Sequence, residues 1–168
     1  MSQTLRGERF RFLYRQGEGA IDRREWRLAS LPPVAIALAM TIVWLVIAPR
    51  QARDLSRENF IDLSVVATYG YLIVYAFALL LCAVAEYFVS AKRFADRGRS
   101  PALAGLAPFF LFLAGAANWY QPRSEGAMAP WLTVAFDAVT LAVLVWTVAE
   151  LGVAKGGGSQ APREKISS

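Results

Sequence analysis

Four long apolar blocks constrain the fold of this chain more than any other feature of its sequence. Their lengths are 18, 23, 17 and 19 residues, and they cover residues 31–48, 63–85, 101–117 and 131–149. A helix needs about 20 apolar residues to cross a hydrocarbon core roughly 30 Å thick, within a usual range near 17–25. A soluble domain interrupts such runs with polar residues every few positions, and these blocks largely lack such interruptions. The sequence therefore predicts an all-α integral membrane bundle of four transmembrane helices.

The charges between the blocks predict on which side of the membrane each connecting segment lies. Cytoplasmic loops of membrane proteins are enriched in Lys and Arg. With four spans, residues 1–30, 90–100 and 155–168 share one side and carry 14 such cations, whereas the opposite side carries 4. Both termini are therefore predicted to be cytoplasmic. The first block follows a long charged segment, so we expect it to be retained as a span and not removed as a signal peptide.

Three segments follow from this pattern: a basic amphipathic cytoplasmic leader, a four-span membrane domain and a flexible cytoplasmic tail, at residues 1–30, 31–154 and 155–168. In the leader, Phe10, Leu13 and Tyr14 are spaced three and four apart and are surrounded by arginines. A basic amphipathic helix of this kind binds anionic lipid headgroups. Nucleic acid is the competing partner of a basic segment, but attachment to a membrane span favours lipid. We predict lipid and no nucleic acid.

The connector between the second and third blocks is short and basic, and we predict that it forms a structured turn. Asp96 is expected to pair with Arg93 or Arg99, and Gly98 is expected to adopt a positive φ that reverses the chain. Ser100 is expected to cap the next helix, with Pro101 at its first position. The other cations are then expected to face outward, towards lipid phosphates and the acidic residues Glu86 and Glu150. The candidate cytoplasmic motif comprises Lys92, Arg93, Asp96, Arg97, Gly98, Arg99 and Ser100.

Two acids are predicted to lie at the cytoplasmic interface, because the second and fourth spans run in the same direction. These are Glu86 and Glu150, which we expect to pair with the arginines of the connector. Pro32 and Pro33 are expected to start the first span, where a missing backbone N–H costs little.

The connector also carries a family resemblance. Its basic, basic, apolar, Asp, Gly and Ser positions are in register with a conserved pattern, and Gly19, Arg23 and Trp26 match a second, looser pattern ahead of the first block. Over about residues 15–120, these stretches resemble a bacterial inner-membrane family known as domain-of-unknown-function family 805. Ala95 stands where that family has a histidine. The resemblance implies an integral protein of a bacterial inner membrane with no assigned activity.

Polar residues recur along one face of two of the predicted spans. In the fourth span they include Thr133, Asp137 and Thr140, and in the second span Tyr71 and Tyr75. One interpretation is that their hydroxyls bond across helices and hold the bundle together. The other is a polar or proton-conducting path with Asp137 as its buried carboxylate, because ionisable residues within spans commonly face a bundle interior or a water-filled cavity. Both interpretations are open at this point.

The composition favours a non-enzymatic protein. The chain has no histidine and a single cysteine within a predicted span, and no paired catalytic carboxylates can be recognised, so an acid–base or nucleophilic set is not evident. We predict no catalytic residues, no metal site and no cofactor. The favoured function is an accessory or scaffold component that binds anionic lipid and a membrane-protein partner or a second copy of itself. The alternative is a small transporter or proton-linked channel.

Overall fold

The computed structural model of the chain describes residues 3–48 and 63–154. Within these ranges the protein is all-helical, with α1 (Gln3–Arg15), α2 (Arg23–Ile47), α3 (Leu63–Asp96), α4 (Leu106–Tyr120) and α5 (Pro130–Val148). Short 3₁₀ helices flank α4 at Pro101–Gly105 and Gln121–Arg123, and a π-helical turn, Ala149–Val153, extends α5. The predicted loop at 49–62 and the predicted tail at 155–168 lie outside the described residues.

Four of the helical stretches are long and apolar enough to cross a membrane, namely Arg23–Ile47, Leu63–Asp96, Pro101–Arg123 and Pro130–Val153. They coincide with the four apolar blocks. The prediction of an all-helical chain with four membrane-length helices is therefore confirmed. The side of the membrane on which each end lies stays a prediction.

Helix α2 begins well before its apolar block. The carboxylate of Asp22 accepts a hydrogen bond from the backbone N–H of Glu25 at 2.7 Å, which caps the helix at its first turn. The expectation that Pro32 and Pro33 start a helix is wrong, since both lie inside α2. The Asp22 cap is a stronger start signal, and it lies upstream of the apolar residues.

Helix α3 continues into the connector, so the predicted nine-residue hairpin is shorter than expected. The sequence predicts the hairpin at residues 92–100. Residues 92–96 are helical, and the turn is limited to residues 97–100. The N–H of Gly98 bonds to the carbonyl of Ala95 at 2.9 Å, and the N–H of Arg99 bonds to the carbonyl of Phe94 at 2.9 Å. Gly98 has a φ of +67°. This is a Schellman motif, and the predicted positive-φ glycine is confirmed.

The next helix begins as predicted. The hydroxyl of Ser100 accepts a hydrogen bond from the N–H of Ala102 at 3.3 Å, and Pro101 occupies the first turn. The predicted serine cap is therefore confirmed.

The chain divides into two compact units, and the boundaries fall within α2 and α3. Unit one contains residues 1–29 and 87–168, and unit two contains Ser30–Glu86. The buried apolar core belongs to unit one and includes Leu13, Ile21, Trp26, Phe94 and Leu151. The predicted leader, membrane domain and tail were defined by their position relative to the membrane and do not correspond to these two units. That division stays a prediction.

Candidate functional site

Lys92 is completely buried in unit one, and its ammonium binds the end of helix α1. The Nζ atom donates to the carbonyl of Leu13 at 3.0 Å and to the carbonyl of Gln16, and it also lies 3.4 Å from the carbonyl of Phe88. The last carbonyls of an α-helix have no intrahelical donors. A cation at this end also interacts favourably with the helix dipole. Lys92 therefore caps α1 and ties the leader to α3.

A glycine in the loop after α1 makes room for an aromatic ring beside this lysine. Gly19 has a φ of +111°, and a Cβ atom at this position would lie 2.7 Å from the ring of Phe12. The same ring lies 5.0 Å from the Nζ atom of Lys92. A larger residue at 19 would be strained by its backbone and would also displace Phe12. Gly19, from the looser pattern, thus makes room for the ring that packs beside Lys92, from the connector pattern.

Arg93 is the next residue along α3, and it binds the end of α5. Its side chain is buried, with Nε donating to the carbonyl of Leu151 at 3.2 Å and Nη2 donating to the carbonyl of Ala154 at 3.0 Å. Nη1 pairs with the carboxylate of Asp96, so of the two predicted partners of this acid, Arg93 and Arg99, it is Arg93 that binds it. A guanidinium has donors that point in different directions, and here three acceptors use them.

Further arginines surround the same helix end. Arg97 donates to the carbonyl of Glu150 at 2.6 Å and pairs with its carboxylate at 2.5 Å, and Arg99 pairs with that carboxylate at 3.0 Å. Arg23 donates to the carbonyl of Val153 at 3.2 Å. We call these four side chains the arginine cluster: Arg23, Arg93, Arg97 and Arg99. They supply donors to four carbonyls and a carboxylate at the end of α5, so the predicted pairing of Glu150 is confirmed.

The expectation that the connector cations face outward is wrong for Lys92, which is fully buried. Arg97 and Arg99 pair with the predicted acid Glu150 and not with lipid. Lys92 and Arg93 are fully buried, and the side chain of Arg97 is only 14% exposed. The physical reason is that two helix ends lie within their reach, and unpaired carbonyls there need donors. Arg99 alone keeps a half-exposed side chain.

Residues of both family patterns meet in unit one. The indole Nε1 of Trp26 donates to the hydroxyl of Ser90 at 3.2 Å, and a Cβ atom on Gly152 would lie 3.2 Å from the Trp26 ring. Trp26 is buried in the core that also contains Phe94. Arg23 therefore contacts the end of α5, and Trp26 contacts α3. The only sign of this in the sequence was that both residues belong to the looser of the two patterns that resemble family 805.

The leader packs inward more than predicted. Leu13 is buried in the core, and the hydroxyl of Tyr14 donates to the carbonyl of Ala29 at 2.8 Å, whereas Phe10 is exposed. The carbonyl of Ala29 precedes Pro33 by four residues, so proline leaves it without its usual helical donor. Tyr14 supplies that donor. Pro33 was therefore the feature of the sequence that could have indicated an unpaired carbonyl at Ala29.

Glu86 belongs to unit two, where its Oε1 accepts a hydrogen bond from the hydroxyl of Ser30 at 2.8 Å. Its predicted pairing with the connector arginines stays a prediction.

The tyrosines of the second span bond within unit two. Tyr71 donates to the carbonyl of Met40 at 2.7 Å, and the hydroxyl of Tyr75 lies 3.0 Å from that of Thr41. Tyr75 also stacks between Tyr71 and Trp44, at ring distances of 6.1 and 5.8 Å. These contacts join α2 to α3, as expected if the polar residues hold helices together.

The polar residues of the fourth span bond within unit one. The hydroxyl of buried Thr140 lies 2.7 Å from the carbonyl of Phe136 in its own helix and 3.0 Å from the carbonyl of Phe110 in α4, so its single proton is shared between them. Thr133 bonds to the carbonyl of Pro130 in its own helix. Asp137 accepts a hydrogen bond from the amide of Asn118 at 2.9 Å. Of the two interpretations, the one that makes Asp137 a buried carboxylate does not fit, because this residue is exposed in the described chain.

The chemistry available to this site is that of holding helix ends. Its cations are occupied by backbone carbonyls and by Asp96 and Glu150. In residues 3–48 and 63–154, no group of three or more His, Cys, Asp or Glu residues could hold a metal ion.

Comparisons with known proteins add no relative: no family model, no curated protein and no solved structure matches the chain. The resemblance to family 805 therefore stays a prediction. The fold defines a class only, that of all-helical proteins with four helices of membrane-spanning length and composition.

Proposed function

We propose that this chain is a non-enzymatic multi-pass protein of a bacterial inner membrane. In this proposal it binds anionic lipid and serves as an accessory or scaffold component for another membrane protein or for a second copy of itself. Both termini are cytoplasmic. The resemblance to family 805 and the excess of cations on one side support the location.

The observation that carries the proposal is that the cations of the connector motif bind helix ends within the protein. Lys92, Arg93 and Arg97 are saturated by carbonyls and carboxylates and are largely withdrawn from solvent. Cations used in this way stiffen a framework and are not available to bind a substrate. These cations fix the end of α1 and the end of α5 in place. A rigid arrangement of this kind is expected of a scaffold, whose surfaces must keep a constant shape to bind partners.

Purification of the full chain in a mild detergent, followed by identification of the lipids and proteins that remain bound, tests the proposal. We expect enrichment of anionic lipid over the bulk membrane and a stoichiometric protein partner or a homo-oligomer. The matched control is a variant with Arg93 changed to Lys, which keeps the charge but loses the fixed geometry. A monomer that carries lipid in bulk proportions would contradict the proposal.

A second candidate is a small transporter or proton-linked channel, and the Asn118–Asp137 hydrogen bond favours it. An ionisable residue in an apolar helix is expensive and often functional. Substitution of Asp137 by Asn keeps the hydrogen-bonding capacity and removes the titratable group. If the candidate is correct, this variant folds normally and loses proton flux in reconstituted vesicles. Equal flux in wild type and variant would exclude it.

A further inference from the structure

Four arginines, two on α1 and two on the first turns of α2, are exposed and have no partner among the described residues. None of them has a hydrogen bond, ion pair or ring contact within residues 3–48 and 63–154, and they are Arg11, Arg15, Arg24 and Arg27. Their neighbours differ in this respect, since Arg9 pairs with Glu25 at 3.0 Å and Arg23 binds the carbonyl of Val153. The structure thus separates arginines that hold the fold from arginines that are free.

The free arginines form two pairs on helix surfaces. Arg11 and Arg15 are four residues apart on α1, and Arg24 and Arg27 are three residues apart on α2, so the members of each pair share a face. Like charges at this spacing repel and destabilise a helix. An external anion would relieve the repulsion in both pairs.

Measured from the start of the apolar block, the backbone of Arg27 lies within the thickness of the lipid headgroup layer, and that of Arg24 lies slightly beyond it, within reach of its long side chain. Arg27 precedes the apolar block at Leu31 by four residues and Arg24 by seven, which corresponds to about 6 and 10 Å of helix. The polar layer on each side of a bilayer is about 5–8 Å thick. Leu28 directly follows Arg27, lies one helical turn after Arg24 and is 59% exposed. A lipid with its chain against Leu28 therefore has its phosphate beside a guanidinium.

The α1 pair lies on a helix that is fixed within unit one. Tyr14 bonds to the carbonyl of Ala29 in α2, and Lys92 of α3 bonds to the carbonyls of Leu13 and Gln16 at the end of α1. Arg15 follows Tyr14 directly. Phe10 is 54% exposed next to Arg11, so α1 also presents an apolar group beside a cation.

We infer that the two pairs, Arg11 with Arg15 and Arg24 with Arg27, bind the phosphates of anionic glycerophospholipids. One guanidinium group can donate two parallel hydrogen bonds to the oxygens of a phosphate. The exposed Phe10 and Leu28 supply contacts for the acyl chains. The apolar contacts distinguish a lipid from a soluble phosphate ester. This inference rests on the proposed function and assigns its lipid contact to the leader and not to the connector.

Titration of the full chain in a neutral detergent tests the inference. The ligands are phosphatidylglycerol and phosphatidylcholine with identical chains, and glycerophosphate serves as the headgroup without chains. The variant R11Q/R15Q/R24Q/R27Q is compared with R11K/R15K/R24K/R27K, which keeps the charge. The thermal midpoint of each protein without lipid reports its fold.

We expect wild type to prefer phosphatidylglycerol and to lose this preference as salt is raised. Taking about fivefold for each of two arginines that contact one phosphate, the Gln variant should bind roughly 25-fold more weakly. The Lys variant should retain most of the affinity and melt like wild type, and the Gln variant should melt at the same temperature or slightly higher, because the arginines have no partner among the described residues and their mutual repulsion is removed.

The outcomes separate the inference from the function on which it rests. If wild type and the Gln variant prefer phosphatidylglycerol equally, the lipid function stands and these arginines are not its site. If wild type does not distinguish the two lipids, the lipid function itself fails. Displacement of the lipid by glycerophosphate at equal concentration would show a soluble phosphate site, and a Gln variant that fails to fold would show that the arginines are structural. Either result overturns the inference.

Discussion

Arg93 shows why the type of cation matters at a buried helix end. Its Nε and two Nη atoms reach three acceptors that lie in different directions: the carbonyls of Leu151 and Ala154 and the carboxylate of Asp96. A lysine ammonium is a single point on a flexible stem and cannot occupy three such positions. Arg99 is different, because it is half exposed and contacts one carboxylate.

Charge-preserving substitutions should therefore have unequal effects on the two arginines. Arg93→Lys should lower the free energy of unfolding by about 2–4 kcal/mol, because at least two charged hydrogen bonds are lost and their acceptors stay buried. Arg99→Lys should cost less than about 1 kcal/mol, as is usual for an exposed ion pair. Unfolding in mixed micelles, followed by tryptophan fluorescence, measures both. Equal losses in the two variants would show that charge alone matters.

Gly98 is needed for its backbone and not for space. Its φ is +67°, and a Cβ atom would meet nothing within 4 Å. Gly98→Ala should therefore destabilise the protein by about 1–2 kcal/mol, the usual cost of a left-handed conformation for a residue with a side chain. Gly115 in α4 also has open space but no positive φ, so Gly115→Ala should be neutral or slightly stabilising. A Gly98→Ala variant as stable as wild type would contradict the Schellman turn.

At the scale of the helix, α1 is attached to α2 through a defect in α2. Pro33 has no N–H, so the carbonyl of Ala29 lacks its helical donor, and the hydroxyl of Tyr14 takes this place at 2.8 Å. The proline thus creates an acceptor at the position where the leader docks. Helix breakers inside spans are tolerated where other groups satisfy the freed backbone in this way.

A double-mutant cycle should detect this coupling. Tyr14→Phe should cost about 1–2 kcal/mol in the wild-type protein, because it leaves the Ala29 carbonyl without a donor. In a Pro33→Ala background the restored N–H bonds to that carbonyl, and Tyr14→Phe should cost less by about 1 kcal/mol. Tyr87→Phe is the control, since this tyrosine packs against the same core and its hydroxyl has no hydrogen bond in the described chain. An equal cost of Tyr14→Phe in both backgrounds would refute the coupling.

Local signals in the sequence were sufficient for some of these elements. Gly98, Ser100 and Pro101 act within a few residues of themselves, and the pair of Arg93 with Asp96 is three residues apart on one helix. Apolar length predicted the four membrane-length helices for the same reason.

The partners of the buried cations could not be predicted in this way. Lys92 binds a carbonyl 79 residues away and Arg93 binds one 58 residues away, so only the tertiary arrangement brings them together. Charge patterns by themselves favour exposed cations, since lysine and arginine are rarely buried unless paired. The helix ends that pair them have no sequence signature of their own.

For the whole molecule, the orientation in the membrane is the property that most needs a direct measurement. Single cysteines at Ala95 and Ala127, both exposed, can be introduced after replacement of Cys82 by Ser. We expect Ala95→Cys to react with an impermeant reagent only from the cytoplasmic side and Ala127→Cys only from the outside, because of the charge asymmetry. Labelling of both from one side would exclude the four-span arrangement.

The hydrogen bond from Arg93 to Leu151 also imposes an order in time on the synthesis of the chain. A ribosome adds about 5–20 residues per second, so the carbonyl that Arg93 binds is made roughly 3–12 s after the arginine itself. A guanidinium does not lose its proton, and it must therefore stay hydrated during this interval. The part of unit one that Arg93 holds can therefore form only after α5 and the turn that follows it have been made.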